Sequence, residues 1–66
     1  MSLGKMVRRM RALREARGLT QEQLAQKAGV SVGYIARLET ERHDPKVSTL
    51  IKLAKALRVP VTDLLK

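Results

Sequence analysis

Apolar side chains at Leu3, Met6, Val7, Met10 and Leu13 recur every three or four residues, while Lys5, Arg8, Arg9 and Arg11 fall largely on the opposite side. That spacing is one face of an α-helix, and Gly18 supplies its C-terminal stop. Thr20 followed three residues later by Gln23 is a capping box, predicting a second helix from Gln21 to Ala28. Gly29 ends it, Val30 is apolar, and Ser31 caps a third helix with Ile35 and Leu38 as its inner positions. The stretch from Thr40 to Lys46 is polar and contains Asp44-Pro45, a loop too short to separate domains. Leu50, Leu53, Ala54 and Leu57 restore the helical period from about Ser48. Pro60 pre-sets the first turn of a short last helix holding Leu64 and Leu65. No segment alternates as a strand does and no repeat is present. The pattern predicts an all-α fold of five helices in a single domain, residues 1–66.

Composition narrows the class. A chain of 66 residues has room for one small core, since a domain of about 60 residues buries only about 60% of its unfolded surface. With 44% apolar and 30% charged residues it is too hydrophobic for a disordered tail and too polar for a membrane span. No apolar run approaches the roughly 20 residues that cross a bilayer. The segment Met1 to Arg17 carries arginines where a signal peptide needs its apolar stretch. A rival reading, an Arg-rich targeting or membrane-surface segment, is disfavoured by the patterned core that follows. The expectation is a cytoplasmic protein without membrane contact.

The absence of cysteine removes disulfides, zinc-thiolate sites and thiol nucleophiles, and the single histidine, His43, cannot build a metal cluster. Neither a cofactor nor a metal is expected, and no small-molecule ligand. Ser31, His43 and Asp63 have no triad-like organisation, and Gly4-Lys5 lacks the rest of a phosphate loop, so catalysis is not expected. Fourteen Lys and Arg against six Asp and Glu give a net charge of +8, which favours a polyanionic partner. A single-strand or RNA binder fits that charge, but at 2% aromatic the chain lacks the rings on which unpaired bases stack. Double-stranded DNA is the leading partner.

Two short helices joined through a glycine turn present the second helix to the major groove, about 12 Å wide and able to admit one α-helix. Here the unit runs from Gln21 to about Thr40, with small Ala25 for close helix crossing, Gly29 for the turn, and Leu24, Ala28, Val30, Ile35 and Leu38 as the lock. This stretch resembles the helix-turn-helix of the Cro and lambda-repressor-like family of bacterial and phage regulators. The resemblance extends to Met10-Arg11-Ala12-Leu13-Arg14, to Gly18-Leu19-Thr20-Gln21, and to Leu38-Glu39, Pro45, Thr49-Leu50 and Leu53-Ala54-Lys55-Ala56-Leu57, covering Met6 to Leu65. Three positions depart from the pattern. Glu41 stands where the family usually has glycine after the recognition helix, Lys46 where it has serine, and Arg58 where glycine is common before the last helix.

The resemblance implies a compact five-helix DNA-binding domain whose third helix meets base edges through Val32, Gly33 and Arg37, with Ser31 and Tyr34 nearer the DNA backbone. Val32 offers apolar contact, best matched by a thymine methyl, and Gly33 offers no side chain. Arg37 either reads guanine through a bidentate contact, or binds phosphate or pairs with Glu41. The family pattern puts Gln21, at the start of helix two, on a phosphate, where helix N-terminal N–H groups favour an anion. Tyr34 serves as a phosphate donor or packs its ring over the turn. Arg42 and His43 lie where the family touches the sugar-phosphate backbone, or form a solvated charged loop. The pattern also pairs Arg14 with Glu39, a partly buried tie between helices one and three. The implied function is a transcriptional regulator, such as a repressor, binding a two-fold operator as a homodimer. Arg58, Val59, Pro60, Val61 and the last helix form its interface, unless Val59, Val61, Leu64 and Leu65 close the monomer core. The alternative is an antitoxin or protein-interaction module with the same fold and a protein partner.

Overall fold

The structure, a computed structural model, describes residues 3–40 and 44–65; Glu41, Arg42 and His43 lie outside the described residues, as does the side chain of Leu3. Five helices follow one another: α1 (Leu3–Ala16), α2 (Gln21–Ala28), α3 (Val32–Glu39), α4 (Val47–Leu57) and α5 (Thr62–Leu65). The fold is all-α, with the element order that the apolar spacing predicts.

Helix starts follow from side-chain chemistry. Thr20 Oγ1 accepts from the Gln23 N–H at 3.0 Å while Gln23 Oε1 accepts from the Thr20 N–H at 2.9 Å, completing the capping box of α2. Ser31 Oγ accepts from the Tyr34 N–H at 3.1 Å and opens α3. α4 begins at Val47, one residue ahead of the predicted Ser48, because the Lys46 carbonyl takes the Thr49 and Leu50 N–H groups, each at 3.0 Å. Lys46 therefore occupies the cap position and makes no side-chain cap bond, as expected of an ammonium group with no acceptor. Pro60 does not form the first turn of α5 as predicted. Its carbonyl accepts from the Asp63 N–H at 2.9 Å, a turn leading into a helix that opens at Thr62.

Three helices end in the same way. Gly18, Gly29 and Arg58 each adopt a left-handed conformation, with φ of 69°, 72° and 60°. In each case the following residue, Leu19, Val30 or Val59, donates its N–H back across the last turn to Arg14, Ala25 or Ala54. This is the Schellman closure, in which the residue after the left-handed position is apolar and folds onto the helix. Leu19, Val30 and Val59 all pack against the core. At the third site an arginine stands where glycine is favoured, and its Cβ makes the left-handed backbone costly.

The core draws on every helix. Met6, Val7 and Met10 from α1 meet Ile35 and Leu38 from α3, with Leu24 of α2, Leu53 and Leu57 of α4 and Leu64 of α5 all essentially inaccessible. α2 packs on both α3 and α4, α1 on α3 and α5, and α4 on α5. Ala25 is buried, and its single methyl permits the close crossing of α2 and α3. Leu64 belongs to the core, Val59 and Val61 pack partly against it, and Leu65 remains exposed. Arg9 Nε donates to the Asp63 carbonyl, a polar tie between α1 and α5.

The Arg14 and Glu39 side chains are only 11% and 5% exposed. Arg14 Nε donates to Glu39 Oε2 at 2.7 Å and its Nη2 to Oε1 at 3.1 Å, a fork-on-fork pair. Arg14 Nη1 also donates to the Leu19 carbonyl at 2.7 Å, so one guanidinium joins α1, the turn before α2, and α3. Glu39→Ala leaves this cation buried without its partner and is expected to cost about 3 kcal/mol. A thermal melt lowered by more than about 10 °C checks it. Arg58→Gly relieves the left-handed strain and is expected to add about 0.5 to 1 kcal/mol. A denaturant midpoint at or below the wild-type value contradicts that expectation.

Candidate nucleic-acid interface

α3 turns Ile35 and Leu38 inward and rests half-buried Tyr34 against the core, so its outer surface is set by what remains. That remainder is Val32, Gly33 and Arg37, all exposed, with Val32 showing 44% of its surface although it is apolar. Gly33 and Arg37 are four residues apart and share a face. The Thr40 hydroxyl donates to the Arg37 carbonyl at 2.7 Å and closes the helix end behind them.

Gly33 differs in kind from Gly18 and Gly29. Those two occupy left-handed turns, whereas Gly33 sits within a helix without positive φ, and a Cβ placed there meets nothing within 4 Å. A helical glycine costs roughly 0.5 to 1 kcal/mol relative to alanine, and nothing in the packing requires it. The bare backbone leaves room for an outside surface to approach the first turn of α3.

The start of α2 is tied to the last residue of α3. Gln21 is its first residue, and the first intrahelical bond runs from the Leu24 N–H to the Thr20 carbonyl at 3.0 Å. The Gln21 and Glu22 N–H groups precede that bond and are the donors a helix N-terminus offers to an anion. The Gln21 side chain is not simply extended into solvent: its Nε2 donates to Glu39 Oε1 at 3.0 Å. Ser31 Oγ is used as an acceptor by the cap, which leaves its hydroxyl proton for an outside acceptor.

Of the eight residues singled out in the sequence, Ser31, Val32, Gly33, Tyr34 and Arg37 are thereby gathered on α3 and its cap, and Gln21 is bound to the far end of that helix through Glu39. Arg42 and His43 fall outside the described residues. The Gln21–Glu39 link was not legible from local spacing, because it joins residues 18 positions apart. A second unpredicted feature is a shallow cavity of about 170 Å³ bounded by Arg17, Leu19, Lys27, Ala56, Leu57 and Arg58. Its three cations stand at the C-terminal ends of α1, α2 and α4, where they complement the carbonyl dipoles. Among the described residues, no helix is long and apolar enough to cross a membrane, and no group of acidic, His or Cys side chains is placed to hold a metal ion.

Comparison with known proteins bears on this geometry directly. The sequence profile of the Helix-turn-helix family matches residues 10–64. An immunity repressor protein of Bacillus phage phi105 is 46% identical over 54 residues, which are 82% of this chain and 38% of the repressor. The chain spans less than half the length of the first curated relatives it matches. Among solved structures, the restriction-modification controller protein C.AhdI from Aeromonas hydrophila superposes with a TM-score of 0.91 at 35% identity, covering 94% of each chain. The DNA-binding domain of the P22 c2 repressor superposes at 0.90 with 33% identity, over 100% of this chain and 87% of that one. With its capped second and third helices, three-residue turn and matching profile, the chain belongs to the helix-turn-helix family and has the lambda-repressor-like fold.

Proposed function

We propose that the chain is a sequence-specific, double-stranded DNA-binding regulator of transcription that acts as a repressor on a two-fold operator. The observation that carries this reading is the outer face of α3, where Val32 is exposed although apolar and Gly33 is bare without a packing reason. Such a face is costly in isolation and useful against the floor of a major groove. Residues 1–66 act as a single helix-turn-helix domain in the cytoplasm, on the nucleoid when bound. The +8 net charge supplies the long-range attraction.

Within this reading the contacts divide by chemistry. Arg37 carries most direct base readout through guanine O6 and N7, and Val32 meets a thymine methyl. Gln21, Ser31 and Tyr34 hold phosphates, with Arg42 and His43 on the sugar-phosphate backbone. Arg37→Ala is expected to weaken the best site by about 1 to 3 kcal/mol and to flatten preference at one G·C pair per half-site. Gln21→Ala is expected to lower affinity across all sequences with the preference unchanged. Selection from a random duplex library measures both; an unchanged motif after Arg37→Ala removes Arg37 as the reader. A dimer holding about 6 to 8 phosphates gives a slope of log affinity on log salt of roughly −5 to −7, and a flat response excludes the DNA reading.

The homodimer draws on the apolar surface that the monomer core leaves uncovered. Leu64 is buried, while Leu65 on α5 and Ile51 on α4 remain 40% and 43% exposed on two helices that pack together. These two, with the neighbouring Arg58 to Val61 segment, form the interface, and half-sites lie about one helical turn apart, near 34 Å. Sedimentation of the wild type and of Leu65→Glu on operator DNA is expected to give two chains and one chain per half-site pair respectively. A wild type that remains a monomer both free and on operator ends this reading.

A further inference from the structure

Glu39 does more than balance Arg14. Its Oε2 is taken by Arg14 Nε at 2.7 Å, and its Oε1 accepts both Arg14 Nη2 at 3.1 Å and Gln21 Nε2 at 3.0 Å. A carboxylate has only acceptor sites, so it admits the nitrogen end of the Gln21 amide and repels the oxygen end. The amide orientation is thereby fixed by chemistry. One Nε2–H is spent on Glu39, and the other is left for an acceptor outside the protein, next to the unbonded N–H groups that open α2.

We infer that Glu39 is the positioning residue for the α2 phosphate contact: from the last turn of the recognition helix it locks the Gln21 side-chain amide with one N–H presented to a backbone phosphate of duplex DNA. The inference rests on the DNA-binding reading above and deepens it. Without the lock, the Gln21 side chain samples several rotamers, and its amide presents oxygen to the phosphate as readily as nitrogen. Ordering such a side chain at the moment of binding costs affinity that pre-organisation saves. The same carboxylate fixes α3 to α1 through Arg14, so the phosphate clamp and the reading helix share one rigid reference point.

A double-mutant cycle on Glu39→Gln and Gln21→Ala tests this, measured as affinity for non-specific duplex DNA at one salt concentration, with a thermal melt of each variant. Glutamine at position 39 keeps the shape and one of the two hydrogen bonds from Arg14, and with one oxygen and one NH2 it can face either end of the Gln21 amide. Glu39→Gln is expected to weaken duplex binding about fivefold in the wild-type background, the size of one ordinary hydrogen bond, and to add nothing in the Gln21→Ala background. A purely structural Glu39 weakens both backgrounds equally, which overturns the inference. Should Glu39→Gln fail to fold, the side-chain amide resonances of Gln21 in the wild-type protein decide. One Nε2 proton is expected to be protected from exchange in the free protein, and the other to shift when duplex is added. Two unprotected protons, or two that ignore duplex to which the protein binds, overturn the inference while leaving DNA binding intact. A wild type that binds no duplex overturns both.

Discussion

A single carboxylate, almost wholly removed from water, is the constraint on which the arrangement of the first three helices depends. Glu39 is 5% exposed and lies among apolar core residues of α3, a position in which an unpaired charge is untenable. It is tolerated because Arg14 faces it with two parallel donors and Gln21 supplies a third. The donors come from α1 and α2 and the carboxylate from α3, so satisfying one charge fixes the three helices relative to one another. Arg14 then spends its remaining guanidinium arm on the Leu19 carbonyl, which sets the turn into α2. The described side chains contain no buried nitrogen or oxygen atom lacking a partner.

Apolar packing supplies the stability around that fixed point, and the chain has little of it to spare. A domain of this size buries a modest fraction of its surface, so helix ends are brought into the core as well as helix faces. The three Schellman closures serve this purpose. Each satisfies terminal carbonyls and folds an apolar residue, Leu19, Val30 or Val59, against the centre of the domain. The arginine at the third closure shows that the geometry is demanded by the packing of Val59 and not by the residue that adopts it.

The same packing explains the character of the outer face of α3. Eight residues give a helix of just over two turns, and Ile35, Leu38 and part of Tyr34 are committed inward. What is left is small or apolar apart from Arg37, so a reading of DNA by this helix relies on close approach and shape together with one strong hydrogen-bonding group. In the proposed DNA-binding reading, the start of α2 then matters more than it does for a helix rich in polar readers, because the register at which the DNA backbone is held would decide which bases face Val32 and Arg37.

Much of this was legible in the residues themselves. Helix periodicity, the Thr20–Gln23 box, the Ser31 cap and the glycine stops are encoded within three or four residues of one another, the range over which a helix turn communicates. The Arg14–Glu39 pair came from resemblance, since no local rule joins residues 25 apart. Tertiary structure alone decided two matters. It divided the C-terminal apolar residues, burying Leu64 and leaving Leu65 outside, because a helix as short as α5 can turn only part of its circumference to the core. It also placed the Gln21 amide on Glu39, a contact created by the crossing of α2 and α3 and therefore invisible to any pattern along the chain.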